Sequence, residues 1–176
     1  MMINRRTSAM AVVAAILAAP LAGLTGCAAP ATGTADAGLL QRMDSLLRQA
    51  TPGHQVSIKL STDQVSTGEA ITAELASNTA GYLYLYQVDT DGRTLSQVFP
   101  NAMDGANYVP AGVAVGLPRP NWRMAARGPA GVGYLMAVVT DQPLDLLALQ
   151  SNTRQGRIEP GSTYGAAMVA LREVAR

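Results

Sequence analysis

The sequence predicts a mostly β fold, an immunoglobulin-like antiparallel β-sandwich preceded by a short amphipathic helix. Three observations predict it. Short runs alternate apolar and polar residues from Gln55 onward, the period of half-buried strands. Gly, Asn, Asp and Pro punctuate these runs at regular intervals, as in sandwiches. Before them, Leu39, Leu40, Met43, Leu46 and Leu47 recur at helical spacing, which marks one apolar helix stripe.

The helix is expected from Leu39 to Ala50, with Thr34 or Asp36 as cap and Thr51-Pro52-Gly53 as its stop. Val56, Ile58 and Leu60 then alternate with Ser57, Lys59 and Ser61. Ser66 to Glu69 forms a turn before the run Ile71, Ala73 and Leu75. Asn78 to Gly81 turns the chain into the strand Tyr82–Val88. Asp89-Thr90-Asp91-Gly92 is a hairpin signal leading to Leu95–Phe99. Strands are also expected at Val113–Leu117 and, nearly continuous in apolar residues, at Val132–Thr140. Asp141 is placed to cap a short helix through Leu149, with polar loop from Ser151 to Gly161. Tyr164–Val174 reads as a closing strand rather than an Ala-rich helix, because Gly161 to Gly165 starts a helix poorly.

The first 27 residues read as an address rather than as fold. Arg5 and Arg6 precede an uncharged stretch from Ala9 to Leu24. It is too short and alanine-rich for a comfortable membrane span and is interrupted by Pro20. Leu24-Thr25-Gly26-Cys27 looks like a bacterial lipobox: an apolar residue, two small ones, then the cysteine that becomes the lipidated N-terminus. The expected organisation is a signal peptide over 1–26, a lipidated tether over 27–38, helix and turn over 39–53, and sandwich over 54–176. Ala28 stands where an aspartate favours inner-membrane retention. In a Gram-negative cell this favours the periplasmic face of the outer membrane.

Composition narrows the function. The chain has 13 Lys and Arg against 12 Asp and Glu. Loss of Arg5 and Arg6 with the signal leaves it near neutral, unlike the basic surfaces that meet nucleic acid. Cys27 is the only cysteine and His54 the only histidine, a poor supply for a transition-metal site, a thiol nucleophile or a hydrolase triad. No Gly-x-Ser-x-Gly elbow occurs. Asp89 and Asp91 lack the further downstream ligands of a calcium loop. Gly128 to Gly133 leads into a strand rather than a phosphate-binding helix. No catalytic residue, metal or cofactor is expected.

Two features are candidate binding surfaces. Tyr82, Tyr84 and Tyr86 share one strand face, and Leu83 and Leu85 the other. If the leucines face the core, the tyrosines form an exposed stripe suited to protein or glycan contact. If the tyrosines face inward or lie beneath the N-terminal helix, they are core, and Val88 continuing their face favours this. Arg119, Trp122, Arg123 and Arg127 surround the only tryptophan. They form either an interface cluster of the residue types enriched at hot spots or a plug at one end of the sandwich with solvated arginines.

The order of several short pieces carries a family resemblance. Gly68-Glu69, Gly81-Tyr82-Leu83-Tyr84-Leu85-Tyr86-Gln87-Val88-Asp89, Gly92, Val98-Phe99-Pro100-Asn101, Ala111-Gly112, Leu117-Pro118 and Gly128-Pro129-Ala130-Gly131 fall in sequence. From Val56 to Leu146 the chain resembles the domain-of-unknown-function family 4384. That resemblance implies a binding or scaffolding role in the bacterial envelope and supplies no catalytic residues. Where members of that family carry an acidic residue after the last glycine turn, this chain has Val132-Gly133. The expectation is a membrane-anchored, non-enzymatic envelope lipoprotein that binds another protein, with a glycan or small-ligand module as the alternative.

Overall fold

The structure, a computed structural model, describes residues 37–176. The lipobox Leu24, Thr25, Gly26 and Cys27, the tether up to Asp36 and the proposed caps lie outside the described residues. In chain order the elements are α1 (Ala37–Arg48), β1 (Val56–Leu60), β2 (Gln64–Ser66), β3 (Ala73–Ser77), β4 (Gly81–Val88) and β5 (Leu95–Phe99). There follow β6 (Tyr108–Val109), β7 (Val115–Leu117), β8 (Gly131–Thr140), α2 (Leu146–Arg154) and β9 (Tyr164–Val174).

The strands form two sheets, one ordered β1-β3-β7 and one ordered β2-β9-β8-β4-β5, with β6 added to β4. They pack face to face. Leu83, Leu85, Leu135, Ala137, Val139 and Leu171 of the larger sheet meet Ala73, Leu75 and Leu117 of the smaller one in one apolar cluster. A third layer covers the other face of the larger sheet. Leu39, Met43 and Leu46 of α1 and Leu149 of α2 pack with Tyr84, Tyr86, Val88, Met136 and Val138. The larger sheet is therefore buried on both faces, which explains why β4 and β8 read as continuous apolar runs rather than clean alternations.

Each helix is fixed by identifiable contacts. The Tyr164 hydroxyl donates to the Leu46 carbonyl at 2.9 Å, satisfying one of the orphan carbonyls at the end of α1. Thr51 N–H donates to the Tyr164 carbonyl, and Tyr164 N–H to Thr51 Oγ1. The end of α1 is thereby stitched to the start of β9. The cap of α2 is Asp145, whose carboxylate accepts from Ala148 N–H at 2.8 Å. Neither helix is long and apolar enough to cross a membrane.

The mostly β sandwich and the preceding helix agree with the sequence reading, with three local corrections. The sheets are antiparallel except where β2 runs parallel to β9. Strands β2 and β6 were not expected; three and two residues are too short to show a period. The second helix starts at Leu146, not after Asp141, and extends into the first residues of the stretch read as polar loop, ending at Arg154. Pro143 disfavours helical backbone at Gln142, while Asp141 N–H is held by the Thr163 carbonyl. Peptide bonds Phe99–Pro100, Leu117–Pro118 and Gly128–Pro129 are cis.

Candidate functional site

The tyrosine face of β4 is mostly buried. Tyr84 and Tyr86 are 1% and 0% exposed beneath α1 and α2, which corrects the reading of an exposed stripe. The apolar stripe of α1 and the tyrosine face of β4 are partners. An isolated twelve-residue helix is marginal in water, and burying its stripe on β4 stabilises both. Tyr84 Oη accepts from Leu144 N–H at 2.9 Å. Tyr86 Oη and the Thr153 hydroxyl are buried without hydrogen-bond geometry. Burial pushes the Tyr86 phenol far above its usual range, with the nearby Thr153 hydroxyl partly opposing. Only Tyr82 reaches the surface, half-buried and edge-on to exposed Tyr108 with ring centroids 5.4 Å apart.

The arginine–tryptophan segment divides into a lock and a cleft. Asp104, nearly buried, accepts from Arg119 Nη1 through Oδ1 at 2.6 Å and from Trp122 Nε1 through Oδ2 at 3.0 Å. Arg119 also lies over the Phe99 ring, 5.2 Å from its centroid. Phe99 and Trp122 stack with centroids 6.4 Å apart and planes 6° apart. Trp122 thus plugs the end of the core, and Arg119 is held against it through Asp104 and the Phe99 ring. No local pattern marks Asp104, because its partners lie 15 and 18 residues further along.

Beyond the lock, a cleft of about 330 Å³ opens between β5 and the extended segment 122–127, lined by residues that include Gln97, Met103, Trp122, Arg123 and Arg127. That segment is held by bonds from Gly68 N–H to the Ala126 carbonyl and from Ile71 N–H to the Met124 carbonyl. Alternation points Met124 and Ala126 into the core and leaves Arg123 and Arg127 exposed. Arg123 Nη2 donates to the Gly68 carbonyl at 2.8 Å. Arg127 lies near Asp89, whose carboxyl is raised by burial, with Arg127 opposing and Asp91 adding to the shift. Asp91 itself is lowered by the Arg93 and Thr94 N–H groups of the hairpin. Structure therefore brings Trp122, Arg123 and Arg127 to one cleft, with Arg119 joined to Trp122 through Asp104 outside its lining and the tyrosines apart.

A second feature was not anticipated. Strand β1 is an edge of the smaller sheet, with β3 as its strand neighbour. Asn78 N–H bonds the Gln55 carbonyl and Ser61 N–H bonds the Thr72 carbonyl. In an antiparallel ladder these bonds recur at every second residue. Ser57 and Lys59 therefore bond to β3, while the N–H and C=O groups of Val56, Ile58 and Leu60 point away from it. The side chains of Val56, Ile58 and Leu60 face the core yet remain partly exposed, unlike their fully buried neighbours Ala73 and Leu75 on β3. By contrast, Arg154 Nη2 on α2 covers the β5 edge by donating to the Leu95 carbonyl. Lys59, the only lysine of the chain, stands opposite Glu74 on the outer face of the sheet.

Comparison with known proteins gives one family and a distant structural likeness. Among the solved structures that match is Spo0M, a sporulation control protein from Bacillus subtilis. It shares 11% identity and a TM-score of 0.43, over 72% of this chain and 51% of that one. The chain spans about half the length of that protein. No curated protein matches. Residues 64–143, from β2 to the loop before α2, match the model of the family described as "Domain of unknown function (DUF4384)". The chain carries a domain that resembles this family.

Proposed function

We propose that the chain is a membrane-anchored, non-enzymatic envelope lipoprotein whose β-sandwich binds other proteins as an accessory or assembly component of an envelope complex. Lipid on Cys27 holds it to the membrane, on the periplasmic side of the outer membrane in a Gram-negative cell. The observation that carries the protein-binding part is the edge of β1. Toward Ile58 and Leu60, a row of backbone groups turned away from β3 beside half-buried apolar side chains is a template for strand addition, while Gly165 of β9 approaches the Val56 end. A partner strand with apolar residues at alternate positions would extend the sheet and cover these side chains. Lys59, mid-strand on the outer face, disfavours strands that place a cation opposite it.

The test is Ile58→Pro in the full chain. Proline removes an N–H that points away from β3, so the β1–β3 ladder keeps its bonds, and proline is tolerated on edge strands. The wild-type protein, purified from gently solubilised membranes, is expected to carry a stoichiometric partner. Ile58→Pro is expected to lose it while keeping its circular dichroism and a cooperative melting transition, shifted down by the core contacts the smaller side chain gives up. A solitary wild-type monomer, or equal recovery of the partner with the variant, counts against the reading. The glycan or small-ligand alternative is favoured by a different observation, the cleft at Trp122.

A further inference from the structure

The cleft between β5 and segment 122–127 is chemically one-sided. Its lining includes Arg123 and Arg127 and no Asp or Glu, on a chain whose charges otherwise nearly cancel. The third arginine of the segment, Arg119, is committed to Asp104. Arg123 uses one of its five N–H groups on Gly68, and Arg127 is in no ion pair among the described residues, although it feels the charge of Asp89 outside the lining. Guanidinium forks match carboxylates in geometry and charge.

Trp122 stands in the same lining with its orientation already set. Asp104 holds Nε1 and Phe99 lies nearly parallel to the ring with centroids 6.4 Å apart, and the half-buried ring borders the cleft. Such a fixed ring avoids the ordering cost that a mobile side chain pays on binding. Gln97 donates from Nε2 to the Pro100 carbonyl, which leaves its Oε1 free to accept from a hydroxyl. A volume of about 330 Å³ is at the small end of ligand sites. A flat apolar platform, a neutral acceptor and two cations together fit a ring that has an apolar C–H face, hydroxyl edges and an acidic group.

We infer that this cleft binds a carboxylated saccharide, its carboxylate held by Arg123 and Arg127 and its ring stacked on Trp122. The inference deepens the alternative reading given above and does not depend on the β1 edge.

Trp122 is the only tryptophan, so intrinsic fluorescence of the full chain in detergent reports the cleft directly. Digalacturonic acid is the probe, with its neutral counterpart galactobiose and inorganic phosphate as controls. Digalacturonate is expected to change the Trp122 emission with a Kd on the order of 1 mM, as suits a single half-buried ring and one forked ion pair. Galactobiose is expected to bind at least about tenfold weaker, the share of a charged hydrogen-bonded contact. Arg127→Gln, exposed and outside the core, is expected to weaken digalacturonate to a similar degree. No response at about 10 mM digalacturonate overturns the inference, since a site of this affinity would be nearly saturated. Equal binding of galactobiose overturns the carboxylate assignment, and equal binding of phosphate reduces the site to an unspecific cationic patch. Arg127→Gln leaves β1 untouched and Ile58→Pro leaves the cleft untouched, so the two readings fail separately.

Discussion

Tyr86→Ala is expected to destabilise the domain by about 3–5 kcal/mol, the usual cost of truncating a fully buried aromatic side chain. Tyr86 is 0% exposed between β4 and the helical layer, so its removal leaves a cavity lined by Met, Leu and Val side chains. For a domain of this size the melting temperature should fall by on the order of 10 °C. Tyr86→Phe should change stability by less than about 1 kcal/mol, because Tyr86 Oη makes no hydrogen bond of good geometry and has only the buried Thr153 hydroxyl as its polar neighbour. The matched change Tyr84→Phe should cost about 1 kcal/mol, since it strips Leu144 N–H of its acceptor. Thermal or urea unfolding of the three variants checks this ordering. A Tyr86→Ala protein as stable as wild type would mean that the strand faces solvent.

Cys27→Ser is expected to abolish lipid attachment completely. Metabolic labelling with an alkyne fatty acid should mark the wild-type chain and leave the variant unmarked. Intact mass of the wild type should begin at Cys27 and carry at least two acyl chains, because one chain gives only marginal membrane binding. Wild-type protein without label, or with residues 1–26 still attached, would remove the anchor from the account.

Most strands were legible because a half-buried strand writes its period into the sequence. Val56–Leu60 and the hairpin at Asp89–Gly92 fall where alternation and turn residues place them. The β4 strand was legible as a strand but not in its surroundings. Alternation separates Leu83 and Leu85 from the tyrosines, yet it does not say that both faces are covered. That fact lives in the pairing of β4 with the α1 stripe, 36 or more residues earlier in the chain. The α2 cap was misplaced because two aspartates compete locally, and Pro143 decides between them. Candidate sites were less legible still. Trp122, Arg123 and Arg127 were visible as residue types, but their division from Arg119 depends on Asp104, a long-range partner. The open edge of β1 could not be read at all, because sequence gives a strand's faces and not which of its two edges finds a neighbour.

Residue-resolved amide exchange across β1 tests the central claim, an edge free to receive a partner strand. In the isolated monomer Ser57 and Lys59 amides should be protected by β3, while those of Ile58 and Leu60 exchange at rates near those of open loops. Slow exchange at Ile58 comparable to Lys59 would show the edge already occupied and contradict the account.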